Sequence, residues 1–247
     1  MIRSLGIGLG ALTIALVFWQ GLIWIFGFQK FILPQPHEVV VSLWEFRALI
    51  AENALVTVQA VVLGLILGAG LGAATAISLA ASPFARTYLR PILVFTQAIP
   101  VFALAPILMI WFGFGTAPKI AMALLIIYFP VTSAFFDGLT NTPRGYLDLA
   151  QTMQARPFQT LWRVRVPAAI PSLCSGLRLA AVYAPIGAVI ADWVGGRAEG
   201  LGYLMIYANS RTKIDLMFAA LVVLAVLTVL LHAGVDRFCR WLTARYT

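Results

Sequence analysis

From Ala54 to Ala80 the chain carries no charged side chain, and a stretch so long and so apolar admits few folds. About twenty residues in helical form cross the ~30 Å hydrocarbon core of a bilayer. In that medium each backbone N–H and C=O must find its partner within the protein, which leaves helices and closed barrels. Windows of this kind fall at Leu5–Phe28, Ala54–Ala80, Pro91–Phe112, Lys119–Phe136, Leu173–Ala191 and Leu216–Val235. The expected fold class is an all-α membrane protein with six transmembrane helices joined by short loops.

Composition agrees with that class. The 247 residues are 62% hydrophobic and 11% charged, against about 25% charged in a soluble domain. A soluble protein could not hide so much apolar surface. The net charge of +8 comes from basic residues scattered between apolar segments, the pattern of topology signals and not of a nucleic-acid patch. With the amino terminus cytoplasmic, the inner segments take Arg3, Arg86, Arg90, Arg144, Arg156, Arg163, Arg165, Arg237, Arg240 and Arg245. The outer segments take Lys30, Arg47, Lys119, Arg197, Arg211 and Lys213. The expectation is a multi-pass protein of a bacterial inner membrane. The first apolar run is too long for a signal-peptide core, so it is expected to be retained as a span.

Several enzyme classes lack their signatures. There is no G-x-x-x-x-G-K-[ST] phosphate loop and no Ser/His/Asp set. Cys174 and Cys239 lack metal-site spacing and read as small apolar packers, and His37 and His232 stand alone. No catalytic residue, metal site or bound cofactor is expected in this chain.

The chain reads as one domain, 1–247. Residues 1–50 hold the first span and an outer amphipathic segment in which Val39, Val40, Leu43, Trp44 and Leu49 recur at helical spacing. Residues 54–235 form a five-span core with a polar loop at 138–171, and 236–247 form a cytoplasmic tail. Gly64, Gly68 and Gly72, four residues apart, predict a seam where another helix approaches closely. Pro100, Pro106, Pro130 and Pro185 lie inside apolar windows and remove backbone donors there, which suits kinked helices around a pathway. The glycine-rich segment Gly195–Asp215 reads as an outer re-entrant gate or a platform for a binding protein, with a plain flexible loop as the alternative.

The polar loop carries the most specific pattern. Leu147–Pro171 has helical spacing before Pro157 and a second helical run to Val166. It resembles the EAA loop of ABC-importer permeases, with Asp148-Leu149-Ala150 at the triplet, Val164 and Val166 at the later apolar positions, and Pro167 at the proline. The family's glycine is replaced by Gln154, followed by Ala155, so Pro157 is expected to supply the bend. Further segments, AIPVFALAPIL, YFPVTSAFFDGL, APIGAVIADWVGG and GLGYLMIYANSRTKIDLMFAAL, resemble permeases of the nitrate/sulfonate/taurine branch. Within it they are most similar to those assigned to hydroxymethylpyrimidine, a thiamine precursor.

The resemblance implies a type I, MetI-like importer permease. Two copies would form the pathway, two cytoplasmic ATPase subunits would bind ATP and Mg, and a periplasmic or lipid-anchored solute-binding protein would deliver substrate. ATPase coupling would fall to Asp148, Leu149, Ala150, Met153, Gln154, Ala155, Arg156, Val164, Val166 and Pro167. Leu147, Ala150, Met153 and Gln154 would share the docking face, and Arg156 and Arg163 would meet partner carboxylates or lipid headgroups. Pathway candidates are Gln97, Pro100, Phe102, Tyr128, Tyr183, Asp192 and Trp193. Asp192 beside Trp193 can accept from the amine of a flat aminopyrimidine, whereas a salt bridge to Arg197 or Arg211 is the alternative. A sulfonate, taurine or nitrate permease, a stand-alone secondary transporter or channel, and a scaffold subunit are the competing readings. The second of these predicts charged relays within the spans or repeated halves.

Overall fold

The computed structural model describes residues 2–194 and 199–246, and their side chains except at 2–9, 11, 12, 90 and 194. Eleven α-helices are described: α1 Ile2–Phe26, α2 Pro36–Glu45, α3 Arg47–Ala81, α4 Pro83–Ala98, α5 Val101–Phe112, α6 Thr116–Thr140, α7 Arg144–Thr152, α8 Pro157–Thr160, α9 Val166–Val194, α10 Leu201–Ser210 and α11 Ile214–Tyr246. A π-helical turn, Leu161–Arg165, joins α8 to α9 and makes Pro157–Trp193 one continuous rod. Among the described residues four rods are long and apolar enough to cross a membrane: α3, α6, Pro157–Trp193 and α11. The first expected window overlaps α1, of which Thr13–Phe26 is described as a shorter apolar helix.

The third expected window is not one straight span. It is divided between α4 and α5, which meet at 101°. The cause is local. Proline pushes the preceding residue out of helical space, and Ile99, before Pro100, is extended at φ −82°, ψ 121°. Pro91, Pro106, Pro130, Pro171 and Pro185 lie inside helices without ending them.

α6 is the central post. Ala123, Ile127 and Val131 pack between Ala60, Val61 and Leu65 of α3 and Ala180, Ala184 and Ala188 of α9. The glycine seam on α3 does what its spacing predicts. A Cβ at Gly64 would lie 2.5 Å from that of Ala123, and one at Gly68 would lie 3.0 Å from Ile127. Such closeness gains dispersion contact where lipid supplies no hydrophobic drive between helices. α2 covers the stretch expected to be an amphipathic helix: Val39 is buried and Trp44 exposed. Gln35 N–H donates to the Glu38 carboxylate at 3.0 Å at its start.

The bundle has two distinct ends. α9 starts beside the end of α6, where Leu139 and Ala169 share a cluster with Leu79 of α3. At the other end the start of α6 meets the end of α9. A helix of the length of α6, 25 residues, spans ~37 Å.

Candidate functional site

At the first end α7 projects as a nine-residue helix. Tyr146, Leu149 and Met153 fall at i, i+3 and i+7 and so share one side of it. All three are exposed, Met153 at 74%. Ala150 is 6% exposed and faces the chain itself, so of the four residues expected to share one face, Leu147, Ala150, Met153 and Gln154, the last two are exposed and Leu147 is half-buried. Asp148, Gln154 and Arg156 are exposed, and Ala155, Val164, Val166 and Pro167 half-buried. A cavity of about 580 Å³ lies between this loop and the end of α3, lined by Ala80, Leu147, Gln151, Ala155, Phe158 and Arg165 among others.

The turn after α7 is made by Gln154, not by Pro157. Gln154 takes φ +53°, its N–H donates to Gln151 O at 2.8 Å, and Ala155 N–H donates to Ala150 O at 2.9 Å. Those two bonds define a Schellman cap, whose left-handed position is most often glycine. Gln154 thus adopts the left-handed backbone that glycine takes most readily. Pro157 begins α8 instead. Farther on, Val166 N–H donates to Leu161 O five residues back. This widened turn takes Pro167, whose ring would crowd a tighter one.

Between α4, α6 and α9 lies a second, open cavity of about 530 Å³. It brings together two of the expected pathway residues, Gln97 and Tyr183, and adds Phe129, Ser133 and Asp137. The other candidates lie elsewhere. Tyr128 donates through its hydroxyl to Thr75 Oγ1 at 3.0 Å, tying α6 to α3. Pro100 caps α5, and Phe102 is exposed on it. Trp193 is exposed at the end of α9, while Asp192 beside it is buried.

Asp192 belongs to a buried polar knot at the second end of the bundle. Lys119 Nζ stands 2.6 Å from Asp192 Oδ1, and the two side chains are 3% and 0% exposed. Lys119 also donates to Glu199 O at 2.6 Å. The pairing expected between Asp192 and Arg211 does not occur, since Arg211 lies over the Tyr207 ring; Arg197 lies outside the described residues. The first N–H groups of α10 have no helical acceptor, and side chains of α3 and α9 take them. Gly200 N–H donates to Asn53 Oδ1 at 2.7 Å, Leu201 N–H to Thr57 Oγ1 at 2.9 Å and Gly202 N–H to Asp192 Oδ2 at 3.1 Å. Gly200 has φ +106°, and a Cβ there would overlap the Asp192 carboxylate. Sequence reading missed this knot because Lys119 and Asp192 are distant in the chain. The available signal was one cation and one anion at matching ends of two apolar windows.

Among the described residues no three His, Cys, Asp or Glu side chains come together as a metal site would require. Cys174 and Cys239 are free and buried against each other's backbone between α9 and α11.

Comparison with known proteins agrees with this architecture. A probable ABC transporter permease protein of Haemophilus influenzae is 47% identical, covering 94% of this chain and 93% of its own. The formylaminopyrimidine transport permease protein ThiX of Halalkalibacterium halodurans is 33% identical, covering 85% of this chain and 84% of its own. The fold matches that of a chain of the inward-facing MetNI methionine ABC transporter at TM-score 0.60 and 22% identity, over 85% of this chain and 98% of the other. Residues 60–247 match the family model described as the binding-protein-dependent transport system inner membrane component. The chain belongs to that family, as a multi-pass permease component of an ABC importer in the inner membrane.

Proposed function

We propose that this chain is the membrane half of an ATP-driven importer of a small amine-bearing pyrimidine, and that α7 is its point of attachment to a cytoplasmic ATPase. The observation that carries the coupling assignment is the exposed ridge of Tyr146, Leu149 and Met153 on a short helix beyond the ends of α3 and α6. An apolar ridge at that spacing fits a groove on a soluble partner. Asp148 and Arg156 flank it. Ala150, Gln154, Ala155, Val164, Val166 and Pro167 fix its angle to α9. ATP and Mg are bound by the two ATPase subunits and not by this chain.

In this reading the amino terminus is cytoplasmic, as is the loop 138–171. A second copy of the chain completes the pathway across a two-fold axis, and a periplasmic or lipid-anchored binding protein delivers the solute to the opposite face. Closure of the ATPase pair swings α7, and the continuous rod from Pro157 to Trp193 carries that motion across the membrane. Bistable helix packing then converts it into alternating access. The pyrimidine assignment is supported by the relative named for formylaminopyrimidine transport.

The test is substitution of the ridge. Leu149→Asp should strip the ATPase from the purified permease and abolish ATP-dependent uptake while the permease accumulates normally. Ala150→Glu, which puts a carboxylate into a buried position, should instead lower permease abundance. Full ATPase recovery and uptake with Leu149→Asp refutes the docking assignment.

A further inference from the structure

We infer that the cavity between α4, α6 and α9 is a substrate-reading site, selective for flat, amine-bearing heteroaromatic solutes that are neutral or cationic. This deepens the function proposed above and rests on it. Phe129, Ser133 and Asp137 lie at i, i+4 and i+8 on α6 and so form one stripe facing Gln97 of α4 and Tyr183 of α9. A smaller recess of about 100 Å³, lined by Phe129, Ser133 and Asp137 as well, continues the cavity toward Leu79 and Leu93. The volume of about 530 Å³ lies in the range of small-molecule sites.

The chemistry of the walls is one-sided. Asp137 is exposed to the cavity, and among the described residues no hydrogen bond or ion pair engages its carboxylate. Among the described residues no Lys, Arg or His lines either recess. Arg86, over the Phe136 ring at 5.6 Å, lines a neighbouring hollow with Pro91 and Phe95. Pro130 has no N–H, so the Ile126 carbonyl, also on the cavity wall, loses its regular helical donor. The wall therefore offers acceptors in excess, with hydroxyl and amide groups from Ser133, Tyr183 and Gln97 that serve either way. Phe129 provides an apolar face for a ring. A carboxylate accepts from an exocyclic amine or a protonated ring nitrogen, and repels a sulfonate or nitrate.

The test uses the complete importer in membrane vesicles, with labelled 4-amino-5-hydroxymethyl-2-methylpyrimidine and labelled ethanesulfonate as probes. Uptake is normalised to the permease present. Wild type should carry the pyrimidine and not the sulfonate. Asp137→Asn should lower pyrimidine uptake about tenfold, the loss of one charge-assisted hydrogen bond. Tyr183→Phe, which removes a single hydroxyl, should lower it by a smaller factor. Pyrimidine uptake unchanged in both variants overturns the site and leaves the transport assignment standing. Wild type that carries ethanesulfonate and not the pyrimidine overturns both the site and the pyrimidine reading.

Discussion

Replacing Lys119 with Met isolates the energetics of the buried knot. At 2.6 Å and an effective dielectric of about 20, the attraction between Lys119 and Asp192 is about 6 kcal/mol. Taking two charges out of water costs several kcal/mol each, so the intact pair stands near break-even. Losing one partner is different, because Asp192 would keep its desolvation cost with, among the described residues, the Gly202 N–H as its remaining donor. The expected loss for Lys119→Met alone is about 3–5 kcal/mol. Lys119→Met combined with Asp192→Asn removes both charges and keeps an acceptor for Gly202, so it should recover to within about 1–2 kcal/mol of wild type. Equilibrium unfolding in mixed micelles, followed by tryptophan fluorescence, gives the four corners of the cycle. Additive effects, or a Lys119→Met variant within about 0.5 kcal/mol of wild type, would refute the view that the two charges hold α6, α9 and α10 together.

Two smaller perturbations probe the ends of the bundle. At Gln154, Val should destabilise by about 1–3 kcal/mol, because a β-branched residue resists φ +53°, whereas Gly should leave thermal stability and ATPase recovery at or above wild type. At the start of α2, burial acts to raise the Glu38 pKa, but the Gln35 N–H and the Lys30 ammonium at 3.1 Å outweigh it and hold the carboxyl below its ordinary value. A depressed folded-state pKa stabilises above the unfolded value and is lost as pH falls through the folded one. Hydrogen-exchange protection at α2, taken relative to the intrinsic rate at each pH, should therefore fall below about pH 4 in wild type and show no such step in Glu38→Gln.

The spans were legible because their signal is local: a run of apolar residues long enough for a bilayer needs no knowledge of its neighbours. The close approach of α3 to α6 was legible for the same reason, since Gly64, Gly68 and Gly72 state it within one helix. The orientation of α7 was not, because whether Ala150 or Leu149 faces outward depends on how the π-helical turn Leu161–Arg165 packs against it, and spacing alone allows either. Asp192 shows the limit most clearly. Its place beside an aromatic residue suggested a ligand site, yet the residue that neutralises it lies on another helix, distant in sequence and brought near only by the antiparallel packing of α6 and α9. The free carboxylate of Asp137 went unremarked because it sits at the last turns of a span, where charge is ordinary. What distinguishes Asp137 from Asp192 is the presence of a partner, and a partner is a property of the fold. Charges in a membrane protein therefore divide into structural and functional ones only after the helices are packed, and here the packing moves the candidate for substrate recognition from Asp192 to Asp137.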